Sequence, residues 1–132
     1  MAWEIPVFSW SLPANQDMSS ESTYLFTPVI AVAATGSGIN TPVACAPPGS
    51  TGEPIVGILQ NNPQLAEAGQ IFTEGVSKCK VNGTVAIGDT LMSTPSGGLI
   101  TATTGNYQVG IALDAGVAGD ILPVLLVNLG KK

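Results

Sequence analysis

Few side chains in this sequence could carry out chemistry. It has no histidine and no arginine, so a base or nucleophile would have to be a carboxylate, lysine, cysteine or hydroxyl. Cys45 and Cys79 lie 34 positions apart and form no C-x-x-C pair, which argues against zinc. They are either a disulfide or reactive thiol, or two small buried side chains in a reducing compartment. We favour the second interpretation.

The nine carboxylates are spread singly along the chain, mostly at expected turns. Asp89 and Asp120 each follow a glycine and precede an apolar strand, where an aspartate accepts hydrogen bonds from nearby backbone N–H groups. Calcium needs clustered oxygen ligands, and no D-x-D-x-[DN]-G loop is present. We therefore predict that these acids cap turns and that the chain has no metal site.

Lys78 and Lys80 are half of the cations in the sequence and lie two positions apart. On a strand they share one face, while Ser77, Cys79 and Val81 share the other. The lysine face is either an electrostatic contact for an acidic partner or an ordinary solvated surface. The sequence favours neither interpretation over the other.

The first 22 residues are predicted to be an N-terminal arm ahead of a domain at 23–132. They hold three of the seven aromatic residues, and large aromatic side chains dominate interaction hot spots. The arm either folds back on its own domain or docks on a neighbouring subunit or partner, and we favour docking. Removing residues 1–12 would then leave the stability of the domain nearly unchanged. The candidate contact residues are Trp3, Ile5, Val7, Phe8 and Trp10.

The elements that would position these residues are short strands. β-Branched runs separated by Gly, Pro, Asn and Asp are typical of an all-β sandwich or small barrel with little or no helix. Segment 23–27 is predicted to be a strand, and the proline-rich segment 41–54 a loop. The pair Asn-Gly at 82–83 predicts a two-residue hairpin turn. Segment 63–68 could form a short helical turn.

One phrase occurs twice in the second half of the chain. Val-Gly-Ile at 56–58 leads to Ala-Gly-Gln-Ile-Phe at 68–72, and Val-Gly-Ile at 109–111 leads to Ala-Gly-Asp-Ile-Leu at 118–122. Each copy is read as a strand, a turn and a second strand, so we expect both to give the barrel paired strands. The apolar run 121–127 suits a strand covered by the core on one face and by a neighbouring subunit on the other.

Composition and charge exclude several classes of protein. A net charge of −5 with four lysines and no arginine cannot neutralise nucleic-acid phosphates, so we expect no DNA or RNA partner. Low charge with 45% apolar residues argues against disorder. No apolar run reaches the roughly 20 residues of a membrane helix, and no secretory signal is visible. We expect a soluble protein made in a cytoplasm, with no membrane partner.

The order of motifs over residues 55–129 resembles the small capsid decoration (cement) proteins of tailed bacteriophages. The resemblance rests on Val-Ala-Ile-Gly-Asp-Thr-Leu at 85–91 and on Val-Gly-Ile-Ala-Leu-Asp-Ala at 109–115. The proline-rich segment 41–54 is not placed by this pattern.

The resemblance implies a virion protein on the outside of an icosahedral head, without enzymatic activity or cofactor. It implies a homotrimer over three-fold and quasi-three-fold positions that contacts the major capsid protein and stabilises the shell. Decoration proteins grip the shell or a neighbouring subunit with N-terminal segments, which fits the aromatic arm.

Two other interpretations stay open. The segment 85–91 also approximates a turn of biotinyl or lipoyl hybrid-barrel carrier modules, which present one lysine on an exposed hairpin. Lys78 and Lys80 precede the turn at 82–83 and do not occupy it.

The other interpretation is the base of a phage fibre or adhesin that binds host glycans. Glycan binding of this kind needs exposed aromatic platforms. The second half of the chain offers only Phe72 and Tyr107 for that purpose.

Overall fold

A single curled antiparallel sheet of nine strands forms a half-barrel in the described part of the chain. The structure is a computed structural model that describes residues 5–132, with side chains from residue 9 onward. The one helix among these residues has four residues. The predicted all-β class with little or no helix is therefore confirmed.

The chain order of the elements differs from their order in space. Neighbouring strands run β3-β2-β4-β5-β9-β8-β6-β7, and β1 pairs with β5. The elements are Ile5–Pro13 (β1), Glu21–Tyr24 (α1), Pro28–Ala33 (β2), Val43–Ala46 (β3), Gly57–Leu59 (β4), Ala68–Lys80 (β5), Thr90–Ser93 (β6), Leu99–Thr101 (β7), Gly110–Ala112 (β8) and Ile121–Leu126 (β9).

Two lobes share the long strand β5. Its first half pairs with β1 and β4, and its second half pairs with β9. We call β1 to β4 with the first half of β5 lobe one, and the second half of β5 with β6 to β9 lobe two. Each lobe is closed by one parallel β-bridge. In each case the bridge starts at the residue just after the strand that opens the lobe, which is β1 in lobe one and β5 in lobe two. Ala14 pairs with Cys45 of β3 in lobe one, and Val81 pairs with Leu99 of β7 in lobe two.

Each lobe encloses its own hydrophobic core. The core of lobe one includes Leu12, Met18, Val29, Cys45, Leu59 and Ile71. The core of lobe two includes Cys79, Val81, Val85, Leu91, Leu99, Val109, Ala112, Leu122, Val124 and Leu126. Ile58 of β4 belongs to the core of lobe two, and Phe72 of β5 packs against it. Because successive residues of a strand point to opposite faces, the β4–β5 pair contributes one face to each core.

The two lobes follow the same plan, strand by strand, when β1 to β5 are matched with β5 to β9. The backbone N–H of Ala14, just after β1, donates to the carbonyl of Glu67 at 2.9 Å. The N–H of Val81, just after β5, donates to the carbonyl of Asp120, also at 2.9 Å. Each of these bonds joins the end of one strand to the turn that precedes that strand's partner.

The strand pairs inside the lobes match in the same way. Val56 donates to the carbonyl of Val29 at 2.9 Å, and Val109 donates to the carbonyl of Leu91 at 2.7 Å. The antiparallel pairs β4–β5 and β8–β9 correspond to the two copies of the repeated phrase. The expectation that the phrase supplies paired strands is confirmed, and the structure extends the duplication to nearly the whole described chain.

Two insertions in lobe one hide this duplication in the sequence. The sequence separation between matched positions of the two lobes falls along the chain. It is 67 for Ala14 and Val81, 62 for Val29 and Leu91, 54 for Cys45 and Leu99, and 53 for Val56 and Val109. Lobe one therefore has about five additional residues before β2, where α1 lies, and about eight more between β2 and β3. A repeat is visible by eye only where the spacing stays constant, which is over the two phrases.

Several local predictions were wrong. Segment 23–27 is the end of α1 and a turn in place of a strand, and Phe26 has a φ of 60° that no strand permits. Segment 63–68 is a turn and not helical. Segment 41–54 contains the strand β3, which prolines flank without interrupting, as an edge strand allows.

The Asn-Gly pair at 82–83 does not form a hairpin. The second half of β5 pairs with β9, so β6 is not the neighbour of β5. The N–H of Asn82 instead donates to the carbonyl of Leu99 at 2.8 Å, next to the bridge that closes lobe two. Here the long-range pairing overrides the local turn preference.

Candidate functional site

Trp10 is the part of the predicted aromatic contact whose side chain the structure describes. It lies in β1 opposite Ile71 and packs, half-buried, against the core of lobe one. Its indole N–H donates to Thr73 Oγ1 at 2.6 Å, and that hydroxyl donates to the carbonyl of Val56 at 3.1 Å. Trp10 therefore anchors β1 to β5 and β4 of its own chain.

The rest of the predicted arm is described only in part. Trp3 lies outside the described residues, and so do the side chains of Ile5, Val7 and Phe8. The backbone of β1 from Ile5 onward pairs with β5, with irregularities in register near Phe8. The boundary at residue 22 and the docking of this segment on a partner stay predictions.

Lys78 and Lys80 share a face of β5, and the opposite face, with Ser77 and Cys79, is buried. Both lysines reach the segment around α1. The ammonium of Lys80 donates to the carbonyl of Ser22, and Lys78 Nζ lies 5.6 Å from the centre of the Phe26 ring.

The structure does not bring the lysines and Trp10 together. Lys78 is seven residues beyond the partner of Trp10 on β5, which separates the two by roughly 20 Å along the strand. A partner would have to span this distance to contact both.

The two cysteines do not meet. No disulfide joins them, and both are buried, Cys45 in the core of lobe one and Cys79 in that of lobe two. Burial raises the pKa of the Cys45 thiol to about 11, which keeps it protonated at neutral pH. The interpretation as buried reduced thiols agrees with this placement.

In the two Gly-Asp turns the aspartate carboxylates accept hydrogen bonds from the backbone. Asp89 Oδ2 accepts from the N–H of Ala86 at 2.9 Å, and Asp120 Oδ2 accepts from the N–H of Val117 at 2.9 Å. The predicted capping role is thus observed for both aspartates. Among the described residues, no group of three or more His, Cys, Asp or Glu side chains could hold a metal.

An open groove of about 740 Å³ lies where β5 changes partner from β4 to β9. Its floor is β5 at 73–75, and its walls are 53–57 and 125–128. Glu53 and Glu74 give it acidic groups, while Tyr107 and Leu125 give it apolar surface. The sequence gives no signal for this groove, because it arises where the two lobes join.

Large apolar side chains are exposed at two further places on lobe two. Ile87 and Val117 lie in the paired Gly-Asp turns and are 69% and 57% exposed. Leu125, Val127 and Leu129 lie along β9 and its continuation, and each is more than a third exposed. None of the described helices is long and apolar enough to cross a membrane.

Fold and surface together define a small all-β protein of two matched lobes that presents apolar and aromatic surfaces. No protein-family model and no curated protein matches the chain.

The chain is similar to a solved structure described as the head fiber gp8.5 N base in bacteriophage phi29. The TM-score is 0.69 at 10% sequence identity, and the match covers 95% of this chain and 97% of that one. At this identity the likeness shows a shared fold.

Proposed function

We propose that this protein is a structural protein of a bacteriophage head. It binds the outer surface of the icosahedral shell as a homotrimer, contacts the major capsid protein and stabilises the head as a decoration protein does. The observation that carries the proposal is the fold shared with the phi29 head fiber base, which extends over almost the full length of both chains.

The described side chains support a role in binding over one in catalysis. The turn aspartates cap backbone N–H groups, and both thiols are buried. Lys80 donates to a backbone carbonyl, and Lys78 lies over an aromatic ring. The turn aspartates and the thiols thus stabilise the fold, and both lysines contact the segment around α1.

The same contacts argue against the carrier-module alternative. A carrier lysine projects from an exposed hairpin, whereas Lys78 and Lys80 lie within β5 and are half-buried. An intact mass equal to that of the unmodified chain would exclude this alternative.

The head contact is assigned to the N-terminal segment and to the lysine face of β5. Trp3, Ile5, Val7 and Phe8 would supply apolar contact area, and the lysines would meet an acidic surface of the capsid protein. We place the protein on the exterior of the virion, after synthesis in the host cytoplasm.

Co-sedimentation with undecorated, expanded phage heads tests the proposal. Purified protein should bind the heads saturably and raise the temperature at which they release DNA or fall apart. Trp3→Ala should weaken binding, while Val117→Ser, an exposed apolar residue outside the assigned contact, should not. Failure of the unaltered protein to bind any such heads would reject a head-surface role.

A second candidate function is the base of a head fibre, favoured by the description of the phi29 structure. Electron microscopy of decorated heads separates the two candidates. A decoration protein gives a compact knob on the shell, and a fibre base carries an extended distal structure. The glycan-binding form of this candidate has little support, because the exposed Tyr107 ring already lies 5.1 Å from Lys131 Nζ.

A further inference from the structure

The β4–β5 pair of lobe one packs one face against the core of lobe two. The matching face of the β8–β9 pair in lobe two has no third lobe to pack against. In lobe one, Ile58 is fully buried and Phe72 half-buried, because both pack against the core of lobe two. The matched residues of lobe two are Ile111 and Leu125, which lie opposite each other just as Ile58 and Phe72 do. Ile111 is half-buried and Leu125 is 37% exposed.

The uncovered surface continues past the end of β9. Val127 and Leu129 alternate with Leu125 and are 37% and 40% exposed. We call the surface formed by Ile111, Leu125, Val127 and Leu129 the β9 face. None of its four side chains is charged, and two of them, Leu125 and Val127, line one groove. Grouped exposed apolar side chains of this kind favour an interaction site.

Repeat architecture points to the occupant of this face. In stacked repeats each unit buries an apolar face against the next, and a terminal unit that ends the stack carries polar residues there. Lobe two shows the reverse. The position that holds Val127 in lobe two holds the exposed Glu74 in lobe one, so the terminal face is the more apolar of the two.

Each copy has a net charge of −5, and Glu53 and Glu74 line the groove beside the β9 face. Contact between two copies at this face therefore rests on its apolar side chains, with these carboxylates at the edge of the contact.

We propose that the β9 face binds a second copy of this chain, in the way that lobe two covers Ile58 and Phe72 within one chain. This proposal extends the proposed function, because it names the surface through which the subunits of the homotrimer would contact each other. It rests on the internal duplication and needs no capsid.

Sedimentation velocity of the purified full-length chain without phage heads is the test. The unaltered protein should form a discrete oligomer. Leu125→Glu and the milder Leu125→Ser should weaken association by at least about tenfold, because a leucine loses its burial in the interface. Far-UV circular dichroism and denaturant unfolding check that each variant keeps its fold, and Val127→Ser is a second test if Leu125 variants unfold.

Ile87→Glu is the matched control, because Ile87 is more exposed than Leu125 but lies outside the β9 face. It should leave the oligomer intact. An unaltered protein that stays monomeric, a folded Leu125→Glu variant that remains oligomeric, or an Ile87→Glu variant that dissociates would each overturn the assignment. Head binding is measured separately, so a protein that is monomeric in solution and still binds heads rejects this interface without rejecting the head-surface role.

Discussion

At the scale of single residues, the groups that look reactive in the sequence serve the fold. Cys45 illustrates this, because its thiol lies in the core of lobe one with the carbonyl of Leu12 as its hydrogen-bond acceptor at 3.6 Å. Trp10 is similar, since its polar end bonds to Thr73 and its ring packs against the same core. Both side chains thus stabilise the core of lobe one.

Cys45 makes stability depend on pH in the alkaline range. Its pKa is raised to about 11 in the folded chain, from an ordinary value of 9.0 that we take for the unfolded chain. Between these values the unfolded chain releases a proton that the folded chain keeps, so the free energy of unfolding falls as pH rises. Across this window we expect a loss of roughly 2–3 kcal/mol relative to Cys45→Ala.

Urea unfolding of both proteins from pH 8 to 11 measures the effect. All other groups are common to the two proteins, so their contributions cancel in the difference. A difference in stability that stays constant over this range would contradict the assignment of the effect to Cys45.

At the scale of elements, matched turns in the two lobes use different residues for the same backbone conformation. Ala66 has a φ of 71°, and Gly119 at the matched position has a φ of 95°. Glu67 then caps the turn in lobe one, as Asp120 does in lobe two. Left-handed backbone costs a residue with a Cβ about 1–2 kcal/mol, so lobe one carries strain that lobe two avoids.

Reciprocal substitutions test this difference. Ala66→Gly should raise the free energy of unfolding by about 0.5–1 kcal/mol, since relief of strain is partly offset by greater freedom of the unfolded chain. Gly119→Ala should lower it by about 1 kcal/mol, although no atom lies within 4 Å of the added methyl group. Chemical denaturation of both variants would refute the argument if the two effects had the same sign.

Some features of the strands could be predicted from the sequence, and others depend on long-range packing. The all-β class followed from alternating short runs and turn residues, and the pairs β4–β5 and β8–β9 followed from the repeated phrase. The full duplication did not, because insertions change the spacing and matched side chains differ, as with Trp10 and Ser77. The exposed β9 face was visible only as an apolar run, since its lack of cover depends on the packing of both lobes.

At the scale of the whole molecule, β1 is part of the wall of lobe one in the single chain. It pairs with β5 over most of its length, and Leu12 at its end is buried. Deletion of residues 1–12 should therefore lower the melting temperature, because it removes a ladder of backbone hydrogen bonds and a core leucine. The loss should exceed the 2–5 kcal/mol expected for Leu12→Ala alone.

Thermal unfolding of the full chain, the deletion and Leu12→Ala measures this contribution. This outcome differs from that of a free arm, whose removal would leave the domain unaffected. If the variant that lacks residues 1–12 melts at nearly the same temperature as the full chain, these residues are an arm and not part of lobe one.

The sharing of β5 has a consequence for how the molecule opens. Loss of the strand pairs made by the first half of β5 in lobe one would disturb the pairs made by its second half in lobe two. We therefore expect that neither lobe unfolds as an independent unit. Amide hydrogens at the centre of β5 should then exchange with solvent only through global unfolding, while those of the outer strands β3 and β7 exchange through local opening. Mechanical or thermal stress on one lobe should therefore act on both lobes, because β5 belongs to both.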